Sequence, residues 1–311
     1  MTHAQTNILF PKPKQYLVID WSNFVYRAFF TVNNLKTMES LNNLERRDIK
    51  LKNFANVFEL LMKMVASQLK RGSDGTLIVG EGDGKKRRQQ LFPPYKANRS
   101  GSAALPAIQA VYEASLEMMS VTRCTVVVAP DGEADDAIAT LVKRLDRDAR
   151  IRICSEDRDL WQLIRGDRIV VHSSKMGLVN EGRCLSELGV PPRHVACLKA
   201  YGGDTSDNIP RGVPHMRTAH VETVAALDAH PWRAYEKAAK RELLSKAVLK
   251  RVVKYKEQIR TNFKVVTLLS NEKLHRRQPP KNRALRDYIE EWGLDVEPET
   301  VRLLLTGNST S

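Results

Sequence analysis

Four carboxylates lie within six positions of the segment PDGEADDAIATLV, residues 130–142: Asp131, Glu133, Asp135 and Asp136. Like charges a few ångströms apart repel by roughly 1 kcal/mol per pair even in water, and by more when they are partly buried. A counter-charge must therefore be present. A crowd of oxygen ligands without matching His or Cys suits hard divalent cations, Mg²⁺ or Mn²⁺ rather than zinc. The segment indicates a metal site.

Acids also follow other short apolar runs. They are Asp20 after YLVI (16–19), Glu81 and then Asp83 after LIV (77–79), the cluster above after TVVVA (125–129), and Asp157 and Asp159 after IRIC (151–154). An Asp at such a place often only caps a helix. Four strand ends that all carry acids are better explained by one shared site.

These runs, with a fifth at 169–172, are predicted to form buried strands. Apolar residues at helical spacing lie between them, at 53–69, 107–120, 134–145 and 159–164. Alternating strands and helices predict a parallel sheet covered on both faces, with its ligand site at the carboxyl ends of the strands. The acids are therefore expected to meet at one edge of the sheet.

The composition suggests a polyanionic partner. The 311 residues include 50 Lys and Arg against 36 Asp and Glu, a formal net charge of +14, which favours nucleic acid over a membrane surface. No apolar run approaches the ~20 residues that cross a bilayer, and no secretory signal is visible. Four widely spaced cysteines are expected to be buried free thiols. We expect a cytoplasmic protein.

The second half has a different pattern, with helical spacing from about residue 186 and many basic residues between 237 and 260. Basic helix faces are often only solvated, but here they accompany an excess of positive charge. Residues 1–185 are predicted to form the metal-dependent core, residues 186–305 a helical DNA-binding domain, and residues 306–311 a disordered tail.

Two metal ions about 3.5–4 Å apart would activate a water and stabilise the leaving oxygen of a displacement at phosphorus. The acids would then be neutralised by metal, and the basic surface would meet the phosphates. The glycine-rich GEGDGK, residues 80–85, matches neither a nucleotide-hydrolysing nor a dinucleotide-binding motif, because its spacing is wrong for both.

Five stretches together resemble the 5′ nucleases, the flap endonuclease and 5′–3′ exonuclease family, closest in pattern to its bacteriophage and bacterial polymerase-associated members. They are VIDWSNFVYRAFF (18–30), LFPPYKANR (91–99), GEADD (132–136), SEDRD (155–159) and GGDTSDNIP (202–210). The resemblance implies an α/β, PIN-like parallel-sheet nuclease core with a helical arch near 84–106. It also implies a C-terminal DNA-binding domain of the helix–hairpin–helix type.

The resemblance also implies two sets of metal ligands. The first set is Asp20, Glu81, Glu133 and Asp135, and the second is Asp136, Asp157, Asp159, Asp204 and Asp207. The family usually has Asp where this chain has Glu81. Asp83 lies close enough to compete for the role, so the ligand at this strand end is left open between the two.

Basic side chains near the cut are implied as well. Tyr95, Lys96 and Arg99 match the start of the arch, and Arg27 and Arg88 match the remaining basic positions. Such cations would stabilise the charge that develops in phosphoryl transfer.

The helix–hairpin–helix departs from the family pattern, since GVPHMRTA (212–219) lacks two of its glycines. Those glycines let backbone N–H groups approach a phosphate and a monovalent cation. K⁺ binding is therefore left open. Arg211 and Arg217 could contact phosphate instead, and Lys250 and Lys254 are further candidates for DNA binding.

The sequence thus predicts a two-metal 5′ nuclease, acting as a monomer on DNA with a 5′ end or a branch. Two alternatives stay open. One is a ribonuclease acting on RNA or on an RNA–DNA hybrid, as in primer removal; the other is a catalytically weak DNA-binding protein with the same fold. Retention of the family's acids argues against the second.

Overall fold

The apolar runs of the first half form the strands of one sheet. The computed structural model describes residues 14–33, 46–82, 84–99 and 104–306. Its strands are β1 (Gln15–Asp20), β2 (Gly75–Glu81), β3 (Thr125–Ala129), β4 (Arg150–Cys154), β5 (Ile169–Ser173), β6 (Gly177–Val179) and β7 (His275–Arg276). Their order is β6-β5-β4-β1-β2-β3-β7. The five predicted strands pair in parallel, which confirms the predicted parallel sheet.

The helices of the first half cover this sheet. They are α1 (Trp21–Val32), α2 (Arg46–Leu69), α3 (Lys85–Leu91), α4 (Leu105–Ser120) and α5 (Ala134–Arg144), with 3₁₀ turns at Ala97–Arg99 and Arg158–Leu163. The predicted helix at 159–164 is thus a 3₁₀ segment. Asp20 and Asp157 cap their helices, because each side chain accepts from a backbone N–H of the first turn.

The second half is helical, as predicted. Its helices are α6 (Glu181–Leu188), α7 (Val195–Gly202), α8 (Thr218–Ala225), α9 (Pro231–Lys240), α10 (Lys246–Lys254), α11 (Lys256–Val266), α12 (Leu285–Trp292) and α13 (Pro298–Thr306), with a 3₁₀ turn at Pro192–His194. No helix among the described residues is long and apolar enough to cross a membrane.

Strand side chains alternate between two apolar layers, as a period of two requires. Leu17 and Ile19 pack with α1, α2 and α4, whereas Val18 between them packs on the opposite face with α5. This second layer continues without a break into the helical half, through residues such as Val195 and Val252. Among the described residues, the apolar packing of the sheet is therefore continuous with that of the helical half.

The last part of the chain returns to the core. β7 pairs antiparallel with β3, and Leu285, Tyr288 and Leu304 are buried in the layer that contains α1 and α2. The helical region predicted over 186–305 therefore has two kinds of surroundings. Residues 195–266 extend one apolar layer, and residues 275–306 close the edge and flank of the sheet.

The sheet has a topological switch point at β1. The chain passes from β1 to β2 on one side, while β4 pairs with β1 on the other side. Ligand sites of open α/β sheets lie at the carboxyl ends of the strands at such a point. Asp20 ends β1 and Ser155 follows β4, so the acids of the predicted site meet at this edge.

Candidate metal centre

Two clusters of carboxylates lie at this edge and share one member. One carboxylate oxygen each from Asp135, Asp157 and Asp159 lies within 4.8 Å of the others, and the same holds for Asp159, Asp204 and Asp207. We call these the inner and the outer cluster. Both contain only oxygen donors, so the residues present fit a hard divalent cation such as Mg²⁺ or Mn²⁺.

Asp20 stands beside the inner cluster and is nearly fully buried. Its Oδ2 accepts from the hydroxyl of Ser155 at 2.7 Å, and its Oδ1 accepts from the Asn23 N–H at 3.1 Å. Burial raises the pKa of Asp20 to about 7 against these two bonds, and the negative charges of Asp157 and Glu81 add to the rise. Asp20 therefore faces the other acids.

The clusters are short of positive charge. Burial, Asp157 and Asp20 raise the pKa of Asp135 well above its ordinary value. Burial raises the pKa of Asp159 to about 7, although the adjacent ammonium of Lys199 lowers it. A divalent cation at this place would relieve the repulsion that these shifts report.

The repulsion predicts how metal stabilises the fold. A carboxyl whose pKa is near 7 in the folded protein and about 4 in the unfolded chain lowers the free energy of unfolding as the pH rises between those values. We therefore expect Mg²⁺ to raise the melting temperature more at pH 8 than at pH 5.5, because protonated carboxyls bind metal poorly. Differential scanning fluorimetry in EDTA and in Mg²⁺ measures this. Equal shifts at both pH values would contradict it, and Asp159→Asn should reduce the difference.

Asp204 and Asp207 owe their positions to the loop after α7. Gly203 has φ +75°, and a Cβ there would lie 2.7 Å from the Ile209 carbonyl oxygen, so the turn requires glycine. The backbones of Asp204 and Ile209 exchange hydrogen bonds of 2.9 and 2.7 Å. The GGDTSDNIP stretch thus forms a closed loop that turns both acids toward Asp159.

Lys199, on α7, is a functional candidate that sequence reasoning missed. Its Nζ pairs with Asp159 and lies 2.7 Å from Oδ2 of Asp204. Burial alone would raise the pKa of Asp204, but Lys199 and the hydrogen bonds from Ser206 outweigh it and lower that pKa. The sequence did offer one indication of this role: Lys199 precedes the predicted ligand Asp204 by little more than one helical turn.

A buried ion-pair network lies beside the inner cluster. Arg88 donates two hydrogen bonds to Asp136, of 2.7 and 2.8 Å, and a third bond to Glu133. The Leu269 N–H also donates to Asp136, at 2.8 Å. Asp136 lies outside both clusters, and its two oxygens accept these bonds. That Asp136 is a metal ligand and that Arg88 faces the scissile phosphate stay predictions.

Glu133 is surrounded by donors. Besides Arg88 it accepts from Lys96 Nζ at 2.5 Å and from the Tyr95 hydroxyl at 3.1 Å. Burial alone would raise the pKa of Glu133, but the charges of Lys96 and Arg88 outweigh it and lower that pKa. Burial raises the pKa of Tyr95, which keeps its hydroxyl protonated as a donor. Tyr95 is thus placed as a support for Glu133.

Removing Arg88 should destabilise the protein strongly. Arg88→Met removes the guanidinium that pairs with the buried Asp136 and one of the two cations that pair with Glu133. Breaking a buried ion pair in this way typically costs about 3–5 kcal/mol. Arg183→Met is the control, since Arg183 forms a half-exposed pair with Glu187 and should cost less than about 1 kcal/mol. Urea denaturation of both variants measures the difference. Similar midpoints would show that the network contributes little.

The turn that carries Lys96 is tied to the outer cluster's loop. The Lys96 N–H donates to the Asp207 carbonyl oxygen at 2.9 Å, and the Asn208 side chain donates to the Pro94 carbonyl oxygen at 2.7 Å. Lys96 itself has φ +53°, an uncommon conformation for a residue with a side chain. The structure thus brings Lys96 to the acids. The side chain of Arg99 and residue Asp83 lie outside the described residues.

Glu81 ends β2 and faces α1, where its Oε1 accepts from the Ser22 hydroxyl at 2.8 Å. Gly82, next to it, donates to the Gly132 carbonyl oxygen at 3.1 Å, and a Cβ on Gly82 would overlap Pro130. The glycine-rich run therefore allows close backbone packing beside the acids.

The Arg27 side chain is about one third exposed, and its Nη1 lies 3.7 Å from Oε1 of Glu156.

The predicted DNA-binding residues lie on the helical half. Arg211 donates to the Met216 carbonyl oxygen at 2.5 Å, which braces the shortened hairpin, and His215 there has φ +56°. Arg217 precedes α8, and Lys250 and Lys254 lie on α10; all three are exposed. These positions leave Arg217 and the two lysines open to a partner.

An α/β core with adjoining carboxylate clusters at the carboxyl edge of its sheet fits metal-assisted chemistry at phosphorus. Residues 15–189 match the family model described as "5'-3' exonuclease, N-terminal resolvase-like domain". The chain belongs to this 5′–3′ exonuclease family, which confirms the resemblance inferred from the five stretches.

Individual relatives agree with this assignment. A "5'-3' exonuclease" of Buchnera aphidicola subsp. Schizaphis graminum is 28% identical over 215 residues, 67% of this chain and 68% of the relative. A "DNA polymerase I, thermostable" of Thermus thermophilus is 28% identical over 204 residues, 65% of this chain but 23% of the polymerase. The chain thus matches about a quarter of the polymerase.

Solved structures share the fold. A bacteriophage T5 5′-exonuclease structure with bound zinc has a TM-score of 0.62 at 18% identity, covering 81% of this chain and 89% of its own. Human GEN1 in complex with Holliday junction DNA has a TM-score of 0.53 at 15% identity, covering 90% of this chain and 67% of its own. Both confirm the predicted PIN-like α/β core.

Proposed function

We propose that the chain is a structure-specific 5′ nuclease, a 5′–3′ exonuclease and flap endonuclease that hydrolyses DNA phosphodiesters with two divalent ions. Mg²⁺ would serve in the cell, and Mn²⁺ would replace it. One observation carries the proposal: two carboxylate clusters share Asp159 beside the turn that carries Lys96. Family membership supports the reaction. We also propose that the chain acts as a monomer in a bacterial or infected-host cytoplasm.

The clusters would hold the ions, which when bound lower the pKa of a water and neutralise the leaving oxygen. Asp135, Asp157 and Asp159 would be ligands on one side, and Asp204 and Asp207 on the other. Asp20 and Glu81 would add negative charge beside the inner cluster, and Glu133 would hold Lys96 there. Ser155 orients Asp20 through its 2.7 Å hydrogen bond.

Lys96 would contact the scissile phosphate. An ammonium has three donors, and one is directed at Glu133. A phosphate oxygen bound at the clusters would take another, so that Lys96 stabilises charge that grows in the transition state. Arg27 is partly exposed on α1 and would bind the adjoining phosphate.

The helical half would bind the duplex beyond the cut. Lys250, Lys254 and Arg217 are exposed and would contact phosphates, whereas Arg211 is engaged with the hairpin. K⁺ would bind weakly, because His215 has the positive φ that favours glycine but carries a bulky side chain in the hairpin. Affinity for DNA should therefore fall as the salt concentration rises. The slope of log affinity against log salt should be about one unit per phosphate contact, so each lost contact reduces it by that amount.

The test is cleavage of labelled single-strand, duplex, RNA–DNA hybrid and flap substrates by the purified chain, in Mg²⁺ and in EDTA. We expect Mg²⁺-dependent cleavage of the flap and of duplex 5′ ends. A marked preference for the hybrid would establish the ribonuclease alternative instead. DNA binding without cleavage in Mg²⁺ or Mn²⁺ would refute the nuclease proposal.

Substitutions can decide which residue at the end of β2 is the metal ligand. We expect Glu81→Ala to reduce cleavage far more than Asp83→Ala, because Glu81 is near enough to Asp20 to raise its pKa. Glu81→Asp, which returns the residue usual in the family, should keep activity. Single-turnover rates for the three variants decide it, and the reverse ranking would assign the role to Asp83.

A further inference from the structure

A cavity lined by none of the clustered acids lies against α1. It has a volume of about 320 Å³ and lies between α1, α2 and the ends of β4 and β5. We call it the lateral pocket. Its lining includes the apolar side chains of Phe24, Leu60 and Met64, which we call the floor, and the cationic side chains of Arg27 and Lys63, which we call the rim; His172 also lines it.

Positive charge lies near the lateral pocket. Burial, and after it the charges of Arg71 and Arg152, lowers the pKa of His172. Glu156 counters these charges and also lies 3.7 Å from the Arg27 guanidinium. That carboxylate is already held by Ser173 and Ser174, at 2.6 to 2.7 Å. The pocket thus offers cations to an anion.

The lateral pocket is close to the acids. Arg27 stands one helical turn after Asn23 on α1, and a turn rises 5.4 Å. Asn23 lines the cavity above Asp157 and Asp204, and its side chain accepts from the Glu156 N–H at 3.2 Å. Successive nucleotides of a strand are about 3.4 Å apart along a B-DNA axis. A strand that crosses the metal centre therefore reaches the pocket within a few nucleotides.

We propose that the lateral pocket binds a single nucleotide unit, with its base on the apolar floor and its phosphate on the basic rim. This rests on the proposed nuclease function and adds a second contact point to it. The unit is either a nucleotide of the substrate strand, unstacked from its neighbour, or a released mononucleotide. Inorganic phosphate alone would leave Leu60 and Met64 uncovered.

The first test is an abasic scan of a labelled flap DNA, bound by the whole chain in Ca²⁺. Removing single bases on either side of the cleavage position should reveal one position at which wild-type binding weakens about fivefold to tenfold, a typical loss of one base contact. Met64→Ala should show no further loss at that position, since the two changes remove the same contact. Met64 is partly exposed, so the variant should fold.

Lys63→Gln tests the rim, with Lys250→Gln as the matched control on the helical half. Both should lower the salt slope by about one unit. Lys63→Gln should also weaken binding of dTMP, measured by calorimetry against inorganic phosphate, whereas Lys250→Gln should not. Binding of dTMP that depends on Lys63 without any sensitive abasic position would identify the released mononucleotide as the occupant.

Three results would overturn the proposal. They are equal binding of phosphate and dTMP, an abasic loss that persists unchanged in Met64→Ala, and absence of both abasic sensitivity and dTMP binding. Mg²⁺-dependent cleavage of the flap by the wild type is measured separately from these three results. Failure of the pocket is therefore distinguishable from failure of the nuclease function.

Discussion

Asp135→Asn is expected to abolish cleavage in Mg²⁺ while making the metal-free protein more stable. Asp135 lies in the inner cluster, and burial with the charges of Asp157 and Asp20 raises its pKa well above the ordinary value. A neutral amide removes that repulsion but offers a poorer ligand to a divalent cation. Losing a metal ligand should slow the single-turnover rate by three orders of magnitude or more, in line with about 10³–10⁵ for comparable charge-stabilising groups.

Two measurements separate this from a folding defect. The melting temperature in EDTA should rise in Asp135→Asn, and binding of flap DNA in EDTA should stay near the wild-type value, because binding comes mainly from the basic surface. Asp131→Asn is the matched control: Asp131 belongs to the same acidic segment but is exposed and lies outside both clusters. Full activity of Asp135→Asn in Mg²⁺, or of the wild type in EDTA, would refute the metal mechanism.

Lys96→Met should slow single-turnover cleavage by about 10²–10³-fold at saturating enzyme, the usual loss for one donor to a transition state. Methionine keeps the apolar stem that lies over Tyr95, with Nζ 5.0 Å from the ring centroid, and removes only the charge. The chemical step should suffer because Lys96 is held at the clusters by its backbone bond to Asp207.

The comparison with Lys250→Gln distinguishes a catalytic cation from one that only attracts DNA. Lys250 is exposed on α10, so its loss should weaken binding and be partly repaired by low salt. The measurement is the single-turnover rate as a function of salt for both variants. If the defect of Lys96→Met also disappeared at low salt and saturating enzyme, Lys96 would be a binding residue.

Local sequence pattern was sufficient for the core and for most of the acids. Runs such as YLVI and TVVVA are too apolar to stay exposed, and their alternation with helical segments leaves few arrangements other than a parallel sheet. Once the strands are parallel, acids that follow them must meet at one edge. Asp20, Asp135 and Asp157 could therefore be placed together without coordinates.

Tertiary packing decided which charges pair. Arg88 reaches Asp136 across 48 positions of the chain, and the Leu269 N–H reaches it across 133. No local pattern encodes such contacts, so the acidic segment gave no sign that Arg88 pairs with both Glu133 and Asp136. In the structure this buried arginine supplies positive charge to the segment.

The same reason explains Lys199, β7 and the last two helices. Lys199 joins the clusters because the loop after α7 closes on itself at Gly203, and β7 is a strand because β3 offers it a free edge. Leu285 and Leu304 are buried because α1 and α2 present an apolar face. Residue type determined which segments would be apolar or charged; the partners of each segment depended on contacts between parts of the chain far apart in sequence.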